Sequence, residues 1–505
     1  MNPKTHTRQS AILLPLFSLP NSHGIGSLGN EAYRWVDFLE QSKVRIWQLL
    51  PLTVTSYGDS PYQSPSVVGL NPYFIALEEL VKQGLLTVSE ANSETKTNPQ
   101  RIDYGALFRE RIPLLKKAFS RFSRDNEAFL TFQNEGTYHD FATFMTLKEQ
   151  HGFAAWNDWG NERIYRPEEA QKFIHDHQET YQFYLWTQFE FLREFRALKQ
   201  YANQKGVLLM GDMPLYVARD SLEAYMHPEL FLMDEKRNPV LVAGCPPDAF
   251  TSDGQLWGNP IYDWAAQKKT GYRWWKERIQ YNLSLYDILR IDHFRGISAY
   301  YTIPYGEKTA RNGKWLPGPG FDLFEGETNL PIVAEDLGYM DEKVKTLLKK
   351  TTFPGMKVLQ FAFGPQSEME NLPSLSPENS VCYTGTHDNE PLLSLYASYD
   401  TKDQENFHER LAKECAHFAL PIPKQNAKDI VRSSVELCYA SPSNIAILPL
   451  WDLLAKGHEA RINTPSLLSS DNWTYRYQKE DFTDELSAWI RKEVESTNRQ
   501  GEEKK

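Results

Sequence analysis

Cysteine is scarce in this chain, with four in 505 residues. Cys245, Cys382, Cys415 and Cys438 are scattered, with neither the spacing of a disulfide framework nor that of a metal site. They read as reduced thiols in a cytoplasmic protein. No stretch approaches the ~20 continuous apolar residues of a membrane span, and the segment from Met1 to Arg8 lacks the apolar run of a signal peptide. Basic charge is also short: 55 Lys plus Arg against 66 Asp plus Glu give a net charge of -11. That balance argues against a nucleic-acid partner and suits neutral or cationic ligands. There is no internal repeat. The last residues, 495–505, are polar and charged and read as a frayed tail.

What is present is ample apolar material, 41% of the chain, enough for a large core. Aromatic residues are plentiful, with 13 Trp, 26 Tyr and 27 Phe. Flat rings pack on the C–H faces of sugars, but they also build ordinary cores.

Eight short apolar runs rich in β-branched residues read as buried strands: 12–16, 46–52, 207–213, 287–293, 331–335, 356–363, 380–384 and 444–450. Amphipathic stretches lie between them. The first has Asn30 as a candidate N-cap, followed by Trp35, Phe38 and Leu39 at helical spacing. Another runs over 184–201. This alternation predicts an α/β fold, a (β/α)8 TIM barrel over 1–505, rather than a doubly wound sheet. Two intervals are too long for one helix and one loop. Residues 76–180 read as an inserted, mostly helical subdomain. Residues 216–285, rich in Pro, Gly and Trp, read as a lid or loop region over the strand ends.

Four acidic residues end four of these runs: Asp212 in Gly211-Asp212-Met213-Pro214, Asp292 in Arg290-Ile291-Asp292-His293, Glu335 in Ala334-Glu335-Asp336, and Asp388 in Thr386-His387-Asp388-Asn389. A β/α barrel gathers the C-terminal ends of its strands onto one face, so these residues would share a pocket. Paired carboxyl groups are the machinery of glycoside chemistry, about 5–5.5 Å apart when configuration is retained. Asp292 suits a nucleophile, and Arg290, two residues earlier on the same side of the strand, would keep it ionised. The alternative is a structural Arg–Asp pair. Glu335, after an apolar run, suits a general acid with a raised pKa, or else an acid at a helix N-terminus with Asp336 as the cap. Asp388 would bind adjacent hydroxyls, with His293 and His387 as hydrogen-bonding partners. Asp212 reads as a supporting group.

At these residues the chain resembles the amylomaltases, or 4-α-glucanotransferases, of the α-amylase superfamily. The resemblance covers about 13–476. It runs through His23-Gly24-Ile25-Gly26, Tyr57-Gly58-Asp59-Ser60-Pro61-Tyr62-Gln63, Gly211 to Pro214, Trp257-Gly258-Asn259-Pro260, Arg290 to Gly296, Ala334 to Gly338, Phe353-Pro354-Gly355-Met356 and Thr386 to Asn389. It implies a (β/α)8 barrel with inserted subdomains and no C-terminal β domain. It implies Asp292 as nucleophile, Glu335 as acid/base and Asp388 as transition-state stabiliser. Arg290, His293, His387, Asp212 and Asn389 would complete the binding set, with Tyr62 on the donor side and Gln255 and Trp257 in a lid beside the acceptor. Departures from the family pattern are Trp451 before Asp452, Ser466 after Pro465, and Cys245 and Leu256 in the lid.

The implied reaction is retaining transfer of α-1,4-glucan segments between maltodextrins, without metal or organic cofactor. Starch or glycogen-type glucans would serve as donor and acceptor, to a monomer or weak homodimer. An α-1,4-glucan hydrolase would use the same carboxylates and is the alternative. A non-catalytic glucan-binding protein would not need all three. An aldolase-type barrel lacks support, since no Lys ends a candidate strand with Schiff-base partners nearby.

Overall fold

The computed structural model describes residues 8–501 apart from 94–97, 248–251, 328 and 339–340. Residues 248–251, within the segment 216–285, lie outside the described residues, as do 502–505.

Each of the eight apolar runs overlaps a strand: β1 (Gln9–Leu13), which shares only residues 12–13 with the run 12–16, β2 (Ile46–Gln48), β3 (Leu208–Met213), β4 (Ile288–Ile291), β5 (Ile332–Ala334), β6 (Gly355–Val358), β7 (Ser380–Tyr383) and β8 (Ile445–Pro449). They form one parallel sheet in the order β6-β7-β8-β1-β2-β3-β4-β5. The two edges meet where the Ala334 N–H donates to Pro354 O at 2.9 Å. With helices between the strands, this is a (β/α)8 barrel. Strands such as β4 and β8 are buried at every position, as a sheet walled by helices outside and by its own side chains inside requires.

The register sets a polar layer inside the barrel. Asp212 on β3 stands opposite Arg290 on β4, and Tyr383 on β7 donates to Gln48 on β2 at 3.1 Å. Gly211 is required beside Asp212, because a Cβ there would lie 2.1 Å from the Tyr286 ring. Gly296 is required one turn past Asp292, where a Cβ would lie 2.3 Å from Leu215 Cδ2 and 3.0 Å from the His293 ring.

Between β2 and β3 the chain forms helices that include Tyr104–Arg121, Glu127–Glu135, His139–Gln150, Pro167–Asp176 and Gln178–Gln204. After β8 the described residues form helices and turns and no further strand. No helix is long and apolar enough among the described residues to cross a membrane.

Four details depart from the sequence reading. The run 356–363 is a strand only to Val358; Leu359–Phe363 is helical, a distinction that apolar character alone does not make. Asn30 is the first helical residue, not the cap, and its N–H donates to Glu78 Oε1 at 3.0 Å. The segment 216–285, read as a lid or loop region, contains two strands. Leu241–Cys245 and Gln255–Pro260 pair with Ala299–Pro304 and Lys314–Pro317 in a four-stranded antiparallel sheet. Finally, the tail is held through Gly501. The last helix reaches Ser496, and the fully buried Arg499 donates to the carbonyls of Tyr439 at 2.6 Å and Ser441 at 2.7 Å. Those bonds satisfy a charged group that would otherwise be costly to bury.

Candidate active site

The floor of the site is an ion cluster. Arg290 Nη1 donates to Asp212 Oδ1 at 2.7 Å and Oδ2 at 2.6 Å, and lies 3.0 Å from Asp292 Oδ1. Tyr62, from the turn after β2, donates its hydroxyl to Asp212 Oδ2 at 2.7 Å. Asp212 and Arg290 are buried, while the Asp292 side chain retains 27% exposure and faces the cleft above them. Burial pulls Arg290 toward losing its proton, but Asp212 and Asp292 outweigh that and hold it charged. Burial, aided by the nearby Glu335 and Asp388, raises Asp292 above the usual carboxylate range against the pull of Arg290. Arg290 therefore limits the rise without cancelling it, a smaller effect than the sequence suggested.

Glu335 follows β5 directly. Its Oε2 accepts the His293 N–H at 2.7 Å and its Oε1 accepts the Leu337 N–H at 2.8 Å. These bonds bind it to the turn after β4, whose Phe294 N–H donates to Glu335 O at 2.9 Å. Burial raises its pKa, opposed by Arg290 and the two amides. Asp336 does not cap a helix. Its Oδ1 accepts the Met356 N–H at 2.6 Å, and Asp341 caps the helix Glu342–Thr351. His293 sits in left-handed backbone at φ 51. Trp257 meets it edge-on at 4.9 Å, its Nε2 is buried without a partner, and burial and Arg295 lower its pKa to about 3.

Asp388 lies beyond β7. His387 Nε2 is 3.4 Å from its Oδ1, and burial keeps that imidazole neutral against the pull of Asp388. The His387 ring stacks on Tyr62, with centroids 5.1 Å apart. Asn389 closes its own turn: its Oδ1 accepts from Thr386 N at 2.8 Å and Thr386 Oγ1 at 2.9 Å.

Two residues were not foreseen. Asn463 Nδ2 donates to Asp388 Oδ1 at 2.6 Å, and its own N–H donates to His387 O at 3.1 Å. Trp473 closes an aromatic wall, 5.7 Å from Tyr62 and 6.0 Å from His387. It does so from left-handed backbone at φ 64, a conformation rare for a bulky side chain. Both come from coil after β8, where no periodicity marks a site.

Asp292, Glu335 and Asp388 line one cavity of about 280 Å³, with Tyr62, His293, His387, Gln255 and Trp257 in its walls. Gln255 and Trp257 reach it from the antiparallel sheet, where Trp257 Nε1 donates to Gln255 Oε1 at 3.0 Å.

The sequence profile described as 4-alpha-glucanotransferase matches residues 14–482. The chain belongs to the 4-α-glucanotransferase family. It is 42% identical to the 4-alpha-glucanotransferase of Clostridium butyricum over 93% of this chain and 96% of that one. It is 38% identical to the Thermus thermophilus 4-alpha-glucanotransferase over 97% and 99% of the two chains. The solved structure of the Streptococcus agalactiae amylomaltase in complex with acarbose superposes with a TM-score of 0.91, at 37% identity, over 98% of this chain and 100% of that one.

In this 4-α-glucanotransferase the departures noted in the sequence fall around the site, leaving its carboxylates in place. Trp451 is buried beside Asp452, which accepts from Thr384 Oγ1 at 2.5 Å and Leu392 N at 2.9 Å and so ties down the end of β7. Ser466 takes φ 62 at the cleft rim, where glycine is the unstrained choice. Leu256 is 40% exposed beside Trp257.

Proposed function

We propose that this enzyme moves α-1,4-glucan segments between maltodextrins by two displacements at Asp292. The observation that carries the reading is the meeting of Asp292, Glu335 and Asp388 at one cavity, above the Arg290–Asp212 pair. Asp292 attacks the anomeric carbon while Glu335 gives its proton to the glycosidic oxygen. The C–O bond breaks, and the leaving segment departs with a free 4-hydroxyl. Glu335, now charged, takes the proton from the 4-hydroxyl of an incoming glucan. That oxygen displaces Asp292, and two inversions keep the α configuration. Asp388, oriented by Asn463, holds hydroxyls of the reacting sugar and balances the developing positive charge.

Burial raises both Asp292, to about 7, and Glu335, and the two carboxyl groups interact, so they titrate as a pair. The division of labour rests on geometry: Arg290 stands in direct contact with Asp292. An acceptor glucan seated between Tyr62, Trp257 and Trp473 would displace water from the cavity, which favours transfer over hydrolysis.

Maltotriose tests the proposal. A transferase releases glucose and longer dextrins with almost no rise in reducing ends. A steady rise in reducing ends would instead establish the hydrolase.

A further inference from the structure

Asp388 and Asn463 meet at the catalytic cavity, yet no regular element carries either of them. Residues 384–391 follow β7 and residues 461–466 follow β8, and neither stretch belongs to a helix or a strand. The Asp388 side chain keeps 44% exposure. A group that must meet a sugar in one fixed geometry then needs support from elsewhere, since a misplacement of about 1 Å can cost on the order of a hundredfold in rate.

Arg461 supplies that support. Its three guanidinium nitrogens go to three different acceptors. Nη2 donates to Asp388 O at 3.3 Å, Nε to Asn463 O at 2.9 Å and Nη1 to Glu390 Oε2 at 2.6 Å. The first two bonds hold the backbone of both residues whose side chains meet at Asp388 Oδ1, where Asn463 Nδ2 donates at 2.6 Å. The Asn463 N–H closes the same ring onto His387 O at 3.1 Å. Asp388 and Asn463 line the cavity, and Arg461 stands behind them.

Glu390 anchors the outer side of the guanidinium. Its Oε1 lies 2.8 Å from Nδ1 of the exposed His458, and its carbonyl accepts from Gln360 Nε2 at 2.8 Å. Burial pushes the Glu390 carboxyl up, but Ser394, His458 and Arg461 outweigh that and hold it ionised. The Arg461 and Glu390 side chains retain 21% and 16% exposure, so salt screens this pair less than a pair in open solvent.

We propose that Arg461 is a positioning residue for glucan transfer, tying Asp388 and Asn463 into one rigid unit that meets the charge developing on the reacting sugar. A planar fork suits this task because its donors diverge in fixed directions, whereas an ammonium on a flexible stem is a single point charge. The inference rests on the reading of Asp388 as the group that balances that charge.

Steady-state kinetics on maltotriose test it, with thermal melting to confirm folding. In Arg461→Lys, kcat falls about tenfold while KM stays within about twofold, because orientation counts in the transition state and Arg461 stands behind the wall. Glu390→Gln, which loosens Arg461 from outside, lowers kcat in the same direction. When Arg461→Lys is combined with Asn463→Ala, the loss falls short of the product of the two single losses by at least about threefold, since both act on one unit. A kcat within about twofold of wild type in both single variants at Arg461 and Glu390, or losses that multiply, overturns the proposal. A change confined to KM or to melting temperature marks a merely structural arginine and overturns it as well. Crystal structures separate this failure from failure of the catalytic reading. In Arg461→Lys, Asp388 and Asn463 leave their wild-type places; if both keep them, the tie is wrong whatever Asp388 does. Absence of any transfer from maltotriose by the wild type sinks the catalytic reading alone, and the crystal comparison still decides the tie.

Discussion

One nitrogen of Arg290 serves two carboxylates: Nη1 lies 2.6 Å from Asp212 Oδ2 and 3.0 Å from Asp292 Oδ1. The first contact is buried and fixes the guanidinium. The second reaches the floor of the cleft. Removing one partner of such a buried cluster leaves uncompensated charge and costs about 3–5 kcal/mol, so tests at this position call for conservative changes.

Arg290→Lys keeps the charge but loses the planar fork. Arg290 lowers the pKa of Asp292, so weakening that contact raises it, and the nucleophile becomes protonated at a higher pH. The acidic limb of the kcat/KM profile should therefore move to higher pH, read from rates on maltotriose across a buffer series. An unmoved limb means that Arg290 does not govern the ionisation of the essential base.

Tyr62→Phe removes the 2.7 Å bond to Asp212 while retaining the ring stacked on His387. A hydrogen bond to a charged group contributes about 1.5–3 kcal/mol, so kcat/KM should fall about ten- to a hundredfold in a protein that melts close to wild type. A loss below twofold would show that Asp212 needs no second anchor.

Asn463 holds Asp388 Oδ1 at 2.6 Å. Asn463→Ala should lower kcat about tenfold, with a smaller change in KM, because orientation of Asp388 counts most in the transition state. Asn463→Asp puts a like charge against Asp388 and should be worse than Ala. Equal losses in kcat for both variants would argue against an electrostatic role.

His293 is held neutral, with a folded pKa of about 3 against roughly 6.5 when unfolded. The sign follows from linkage. The unfolded chain takes up this proton first, so the contribution to stability is complete above pH ~6.5 and is lost as pH falls toward 3. Between pH 6.5 and 5 the loss should reach up to about 2 kcal/mol in urea unfolding. His293→Asn should show a shallower decline over the same interval, and identical slopes would contradict the assignment.

The barrel was legible because its strands are short, largely apolar and buried at nearly every position, so each of the eight runs overlaps one, the first by residues 12–13 only. The antiparallel sheet was not legible. Gln255–Pro260 contains Gly258, Asn259 and Pro260, which read as turn chemistry, and its pairing with Leu241–Cys245 depends on contacts formed only after folding. The residues read as catalytic stand at strand ends, where sequence and topology agree, and the structure brings them to one cavity. Asn463 and Trp473 stand in coil and reach that cavity only because the chain after β8 wraps back over the barrel mouth.

The most direct test of the central claim is to trap the glycosyl ester. Glu335→Gln enzyme, given an α-maltotriosyl fluoride whose leaving group needs no acid, should accumulate one maltotriosyl adduct. Digestion and mass spectrometry should place it on the peptide containing Asp292. An adduct on any other carboxylate, or free maltotriose of inverted configuration with no adduct at all, would contradict Asp292 as the nucleophile.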